Sequence, residues 1–187
     1  MKSLLIQIKT IHPVSAEAEK ALLEICTEVQ FNKGADVQPI GHTCKTIYFV
    51  KEGCVRIYYF KDGVDITESF EFENAMVARA ESLFTGKPSR KGIQAIEDSA
   101  LIAIDSNKLF KLFDSHPGLE RLFRKIIETA YVNTVNRLES LQFHTAEDRY
   151  FNLLKDHPNI LKRVPLKYIA SYLGITPVSL SRIRAQK

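Results

Sequence analysis

No stretch restricts the fold of this chain more than residues 166–185, LKYIASYLGITPVSLSRIRA. Leu166, Ile169, Ala170 and Leu173 fall at helical spacing on one face. Gly174 ends that helix, because glycine alone enters the left-handed conformation without steric cost. Ile175 plugs the corner, Thr176 can cap the next helix through its hydroxyl, and Pro177 suits a first helical position that needs no amide donor. Leu180 and Ile183 turn the second helix inward, and small Ala170 lets the two helices approach closely. The pattern predicts a helix-turn-helix, the arrangement whose second helix enters a DNA major groove.

A helical hairpin that merely packs is the alternative, and charge argues against it. Residues 157–187 contain no Asp or Glu but six basic residues: Lys162, Arg163, Lys167, Arg182, Arg184 and Lys187. The whole chain carries +4, so everything before this segment is slightly acidic on balance. A basic terminal module on an acidic body is the footprint of phosphate binding. Helical geometry turns Ser179 and Arg182 away from Leu180 and Ile183. The expected DNA contacts are Ser179, Arg182 and Arg184, with Thr176 near the backbone and Lys167 on the preceding helix.

The 187 residues suffice for one large domain or two small ones. Cys26, Cys44 and Cys54 are widely spaced, with no CxxC pair. That usage fits reduced thiols in a cytosol and offers no iron–sulfur or zinc cluster. The opening MKSLLIQIKT is too short an apolar run for a signal peptide, and Lys9 interrupts it. No segment approaches the ~20 apolar residues that span a bilayer. A cytoplasmic protein with no membrane partner is expected.

Residues 15–29 carry a helical stripe of Ala18, Leu22, Leu23, Ile25 and Cys26. Short β-branched and aromatic runs follow at 47–50, 55–60, 66–72 and 92–104, with KEG (51–53) and KDG (61–63) as hairpin corners. They predict a small antiparallel barrel or jelly roll. The intervening ENAMVARAESLFTGKPSRK has helical spacing at Val77, Ala80, Leu83 and Phe84, and a helix inserted into a β-roll reads as a ligand site. Residues 106–113 predict a short helix capped by Ser106. From Pro117 to Phe143 runs the longest helix, with an apolar stripe wider than one face requires. Part of it can cover the β-roll and part can meet a second copy, near Ile126, Ala130 and Leu138. Thr145 to Asp148 opens another helix with a capping box. Residues 160–164 read as a short strand, which would make the DNA module winged. Position 144 divides a domain at 1–143, which includes the dimerisation helix at about 117–143, from a DNA-binding domain at 144–187.

This order of elements resembles the CRP/FNR family of bacterial transcription regulators, relatives of the cyclic-AMP receptor protein. Residues 31–63, FNKGADVQPIGHTCKTIYFVKEGCVRIYYFKDG, are similar to that family's first β-roll half, with Gly34 and Gly53 at its turn glycines. Residues 169–184 are similar to its DNA-reading unit, and Ser181-Arg182 matches a pair recurrent in its recognition helix. The resemblance implies an α+β chain: an antiparallel β-roll like a cyclic-nucleotide-binding jelly roll with flanking helices, a long dimerisation helix, and a C-terminal winged helix-turn-helix. It implies a homodimeric regulator on a pseudo-palindromic double-stranded operator, with RNA polymerase as a further partner. Ser181 thereby joins the expected DNA contacts.

The family's nucleotide binders carry a Gly-Glu pair opening the inserted helix and an Arg followed by a small residue after it. Here Ala78-Arg79 and Ser89-Arg90 stand at those places. The carboxylate for a ribose hydroxyl is absent and the phosphate-pairing arginine is displaced by one, so cyclic AMP is not the expected effector and no cofactor is expected. Ala78, Arg79, Ala80, Ser89 and Arg90 form the candidate effector pocket. It is either vestigial, its arginines solvated or paired with a carboxylate such as Glu81, or a site for another anionic small molecule. Pro177 and Val178 replace the Arg-Glu pair with which many relatives read bases, so their operator cannot be borrowed.

A cupin-like metal-dependent enzyme is the rival reading, since small β-rolls host metal catalysis. It wants clustered His and carboxylate ligands, and His12, His42, His116, His144 and His157 are scattered, with only His42 in the β region. A haem or redox sensor of the same family is a third, with no residue marking an axial ligand.

Overall fold

The computed structural model describes residues 1–185. Leu4 and Ile8, four apart and fully buried, define the inner face of a first helix not expected from the sequence, α1 (Lys2–Ile11). Helix α2 (Ala16–Glu24) begins where the Ser15 hydroxyl accepts from the Ala18 amide at 3.2 Å. It stops well short of the expected Val29. The next residues form strand β1 (Cys26–Phe31), held in antiparallel register against strand β8 (Ser99–Asp105) from Cys26↔Ile104 to Phe31↔Ser99. Sheet pairing here overrides the local helical spacing.

The other strands are β2 (Asp36–Gln38), β3 (Thr46–Glu52), β4 (Val55–Lys61), β5 (Val64–Glu71), β6 (Met76–Val77) and β7 (Gly92–Ala95). They make two antiparallel sheets, ordered β1-β8-β3-β6 and β2-β7-β4-β5. The single run expected at 92–104 is thus two strands, one in each sheet. Val50, Val55, Ile57, Ile93 and Leu101 fill the space between the sheets. The β4–β5 corner closes through Asp62 and Gly63, both at positive φ (53° and 76°), the mirror-image turn whose twist suits a two-residue hairpin. Helix α3 (Ala80–Thr85) is inserted between β6 and β7, but Val77 lies outside it, paired with Tyr48 in the sheet.

Helix α4 (Ser106–Ser115) is capped by Asp105, whose carboxylate accepts from the Lys108 amide at 3.0 Å, and not by Ser106. Ser106 instead donates its hydroxyl to the Lys45 carbonyl at 2.8 Å. Helix α5 spans Pro117–Phe143, the expected bounds. Its first turns bury Leu119, Leu122 and Phe123 against α1, α2 and the β1-β8 sheet. Ile126 also packs against that core, while Ile127, Tyr131, Val132, Leu138 and Leu141 beyond it are exposed.

The Thr145 amide donates to the Asp148 carboxylate and the Asp148 amide to the Thr145 hydroxyl at the start of α6 (Ala146–Asp156), a complete capping box. Residues 160–164 are not a strand but a helical turn, α7 (Ile160–Arg163). Ile160 and Val164, four apart, are both buried, and the Val164 amide donates to the Ile160 carbonyl at 2.8 Å. Among the described residues no strand follows β8, so this stretch supplies no wing. Helices α8 (Leu166–Leu173) and α9 (Pro177–Ala185) complete the chain. Leu166, at the outer end of the expected stripe, stays exposed, because the corner that buries Ile169, Ala170 and Leu173 lies at the other end of α8. The core of the last four helices runs on into the β-roll through Cys54, Phe70, Phe72 and Ile96.

Candidate DNA-binding surface and effector site

The α8–α9 corner is built as the residue types demand. Gly174 sits at φ 71°, and the Ile175 amide donates to the Ala170 carbonyl at 3.0 Å. The Thr176 hydroxyl accepts from the Ser179 amide at 3.1 Å and lies 3.0 Å from the Ser179 hydroxyl. Both hydroxyls therefore serve the cap, and Ser179 is half-buried. Leu180 is buried and Ile183 half-buried, which leaves Val178, Ser181, Arg182 and Arg184 on the open side of α9. Exposed Thr176 stands beside them at the helix start. Lys167 is exposed at the start of α8, its ammonium 4.7 Å from the Tyr168 ring centroid.

The terminal basic residues do not act as one set. Arg163 turns inward, donating to Glu73 at 2.9 and 2.6 Å and from Nε to Glu97 at 3.1 Å. The guanidinium holds the Glu73 carboxyl below its ordinary range, and the hydrogen bonds it donates to Glu73 and Glu97 hold Arg163 more firmly protonated. Its charge fastens helices to roll and is not on offer to phosphate. Lys187 lies outside the described residues.

The candidate effector residues are only partly brought together. Arg79 is 8% exposed, and its Nη1 lies 3.7 Å from Glu68 on β5, not near Glu81, which is exposed. Its Nε has no hydrogen-bond partner. Glu68 also pairs with Lys91. Ser89 is buried but closes its own loop, donating to the Lys91 carbonyl at 2.7 Å and accepting from the Lys91 amide at 3.1 Å. Arg90 and Ala80 are exposed, and Ala78 is half-buried. Glu71 accepts from the Ser69 hydroxyl at 2.8 Å, and withdrawal from water pushes its carboxyl up to about 7. Two surface clefts lie elsewhere, one of about 310 Å³ beside Glu24, Lys45 and Lys108, one of about 190 Å³ beside Phe72, His157 and Arg163.

His42 is an exposed turn residue after β2. Among the described residues, no three His, Cys, Asp or Glu side chains gather around a point that could hold a metal ion. The donor set that a cupin-type centre needs is not assembled there. Sequence reasoning missed the surface between β-roll and helices. Arg56 on β4 is 1% exposed and donates to Asp65 at 2.6 and 2.7 Å, to Gln94 at 3.0 and 2.8 Å and to Thr67 at 3.0 Å. Tyr168 of α8 stacks on it at 3.7 Å. The missed signal was a charged residue inside an otherwise apolar strand run, VRIYYF.

Residues 28–116 match the family model described as Cyclic nucleotide-binding domain. The roll has the fold of that domain. Solved structures extend the likeness over nearly the whole chain. FixK2 from Bradyrhizobium japonicum superposes with TM-score 0.75 at 20% identity, covering 87% of this chain and 84% of that one. The c-di-GMP responsive global regulator CLP of Xanthomonas campestris gives TM-score 0.73 at 18% identity, with 92% and 91% covered. The Thermus thermophilus Catabolite Activator Protein gives 0.60 at 18%, with 96% and 85% covered. No curated protein matches the sequence. The fold is thus one this chain shares with these proteins, with helices on both flanks of the roll. No helix among the described residues is long and apolar enough to cross a membrane.

The Glu71 environment makes a pH-dependent prediction. Its native carboxyl holds a proton up to about 7, whereas an unfolded chain releases it near the ordinary 4.5. The native state then binds more protons between those values, and the stability Glu71 contributes falls as pH rises through the interval. Glu71→Gln should match the wild type near pH 4.5 and exceed it at pH 8 by up to about 3 kcal/mol in urea denaturation. A difference independent of pH would show that the carboxyl is not withdrawn from water.

Proposed function

We propose that this chain is a sequence-specific DNA-binding transcription regulator of the CRP/FNR type, working as a homodimer in the cytoplasm with RNA polymerase as a further partner. The β-roll of residues 1–143 is its sensing and dimerising part, and residues 144–187 carry a helix-turn-helix. One observation carries the reading: α9 presents Ser181, Arg182 and Arg184 on its open side, within a segment that has no acidic residue. An arginine so placed can bind a guanine edge bidentately while Lys167 meets a phosphate. Arg182→Ala should lose ~1–3 kcal/mol of discrimination between a selected operator and random DNA. Equal loss on both would assign Arg182 to the backbone, and no loss on either would remove α9 as the reader.

The dimer rests on the outer half of α5. Ile127, Tyr131, Leu138 and Leu141 recur at spacings of four, seven and three, all exposed. That is a coiled-coil seam without its partner helix, and Ala130 beside it allows close approach. Ile126, by contrast, is engaged in its own protomer's core. Two-fold symmetry then calls for half-sites about one turn (~34 Å) apart. Sedimentation at micromolar concentration should give a dimer. A monomer that binds a single half-site tightly would refute the arrangement.

Cyclic AMP is not the effector on this reading. Arg79 stands where the ribose-binding carboxylate would be, tied to Glu68, and Arg90 points to solvent. The site is either closed on itself or takes a different anionic molecule. Calorimetry with cyclic AMP should show no micromolar binding. Tight binding abolished in Arg90→Ala would overturn this, making the shifted arginine the phosphate clamp.

A further inference from the structure

Strand β5 makes a different set of contacts on each side, with a defect between them. Its pairing with β4 runs from Lys61↔Val64 to Tyr58↔Thr67 and resumes at Ile57↔Ser69. Glu68 is therefore the extra residue of a β-bulge. A bulge leaves one residue out of the ladder and re-aims its side chain. Here the carboxylate of Glu68 meets Lys91 through one oxygen and lies 3.7 Å from Arg79 through the other. Arg79 and Lys91 bracket α3 in sequence, so these pairs tie the inserted segment to β5.

On its other side β5 is the edge of its sheet, where unpaired amides need a cover. Helix α8 is that cover. The Thr67 amide donates to the Ser171 hydroxyl at 2.9 Å, and Phe70 packs on Tyr172 with ring centroids 5.2 Å apart. The Thr67 hydroxyl accepts from Arg56, which stacks on Tyr168. Two consecutive residues, Thr67 and Glu68, thus fasten one short piece of backbone to two distant elements. Neither contact belongs to the ladder that would otherwise hold that piece in place.

We propose that the Glu68 bulge is a relay: the ion pairs of Glu68 hold the bulge, and the bulge holds Thr67 where it grips α8. Loss of those pairs loosens the backbone of the bulge between Thr67 and Ser69, while Arg56 still holds the side chains of Asp65 and Thr67. The loosened bulge lets the Thr67 amide draw away from Ser171 and loosens the seat of α8, and with it the orientation of α9. The state of the charge cluster beside α3 thereby sets how firmly the last two helices are held. The relay rests on the DNA-binding reading only for the meaning of that last step.

The test uses the full chain and follows amide hydrogen exchange at Thr67, which reports the grip without any DNA. Glu68→Gln should speed that exchange about tenfold, within the usual range of coupling between sites, and leave Leu101 and Ile102 in β8 protected. Lys91→Ala, at a half-exposed position, should act in the same direction and covers the case in which Glu68→Gln does not fold. Ser171→Ala should speed exchange by itself and abolish the effect of adding Glu68→Gln, since both act on one contact. Glu28→Gln, which breaks the exposed pair with Lys51 elsewhere on the roll, should change nothing at Thr67. Unchanged Thr67 exchange in folded Glu68→Gln or Lys91→Ala overturns the relay. Failure of the wild type to bind any operator would instead sink the DNA reading while the exchange result still decides the relay.

Discussion

A guanidinium withdrawn from water, that of Arg56, sits where one sheet of the β-roll meets helix α8. All five N–H donors of Arg56 are used, on Asp65 and Thr67 of β5 and on Gln94 of β7, and its faces lie against Tyr58 and Tyr168. A buried arginine with any of these groups missing would cost several kcal/mol. The charge can be buried only when β4, β5, β7 and α8 hold their mutual register. Hydrophobic contact alone would tolerate small shifts of α8 along the sheet, whereas the planar fork of an arginine does not.

The surplus of positive charge in the terminal helices is divided in two. One part is directed inward, where Arg163 meets Glu73 and Glu97. Two arginines from preceding helices serve the same end: Arg149 donates to the Leu173 carbonyl at 2.7 Å, and Arg137 donates to the Tyr172 carbonyl. Those carbonyls are the unsatisfied end of α8, where the helix dipole favours cations. The other part, Lys167, Arg182 and Arg184, is left in solvent. A single composition signal therefore covers both charges that dock inward and charges left in solvent, and which residue does which depends on where the acids of the β-roll lie.

The segment around α3 shows the same economy of charge. Arg79 is a nearly buried cation at the start of α3, and its partner Glu68 comes from a bulge in β5. The orphan Nε of Arg79 and the proton-retaining Glu71 mark this as a polar interior that is not fully paired. Such interiors are poised, because a modest change in charge alters the balance among several groups at once.

Much of this was legible in the residues alone. The Gly174 corner, the Thr176 cap, the D-G hairpin and the bounds of α5 follow from local chemistry, since glycine, proline and capping hydroxyls act within a few residues of themselves. The succession of a β-rich region with an inserted helix, a long helix and a terminal helix pair followed from periodicity, and the resemblance to regulators followed from that succession. What failed was decided at long range. Residues 26–29 became part of a strand because β8 lay ready to pair with them, and 160–164 became a helical turn because Ile160 and Val164 shared one buried face. Ser106 lost its cap to Asp105 because the Lys45 carbonyl claimed its hydroxyl. Arg79 found Glu68 in place of Glu81 because the bulge in β5 swung that carboxylate inward. Local sequence determines what each segment prefers, and only the assembled sheets and helices decide which donors, acceptors and charges come within about 3 Å of one another.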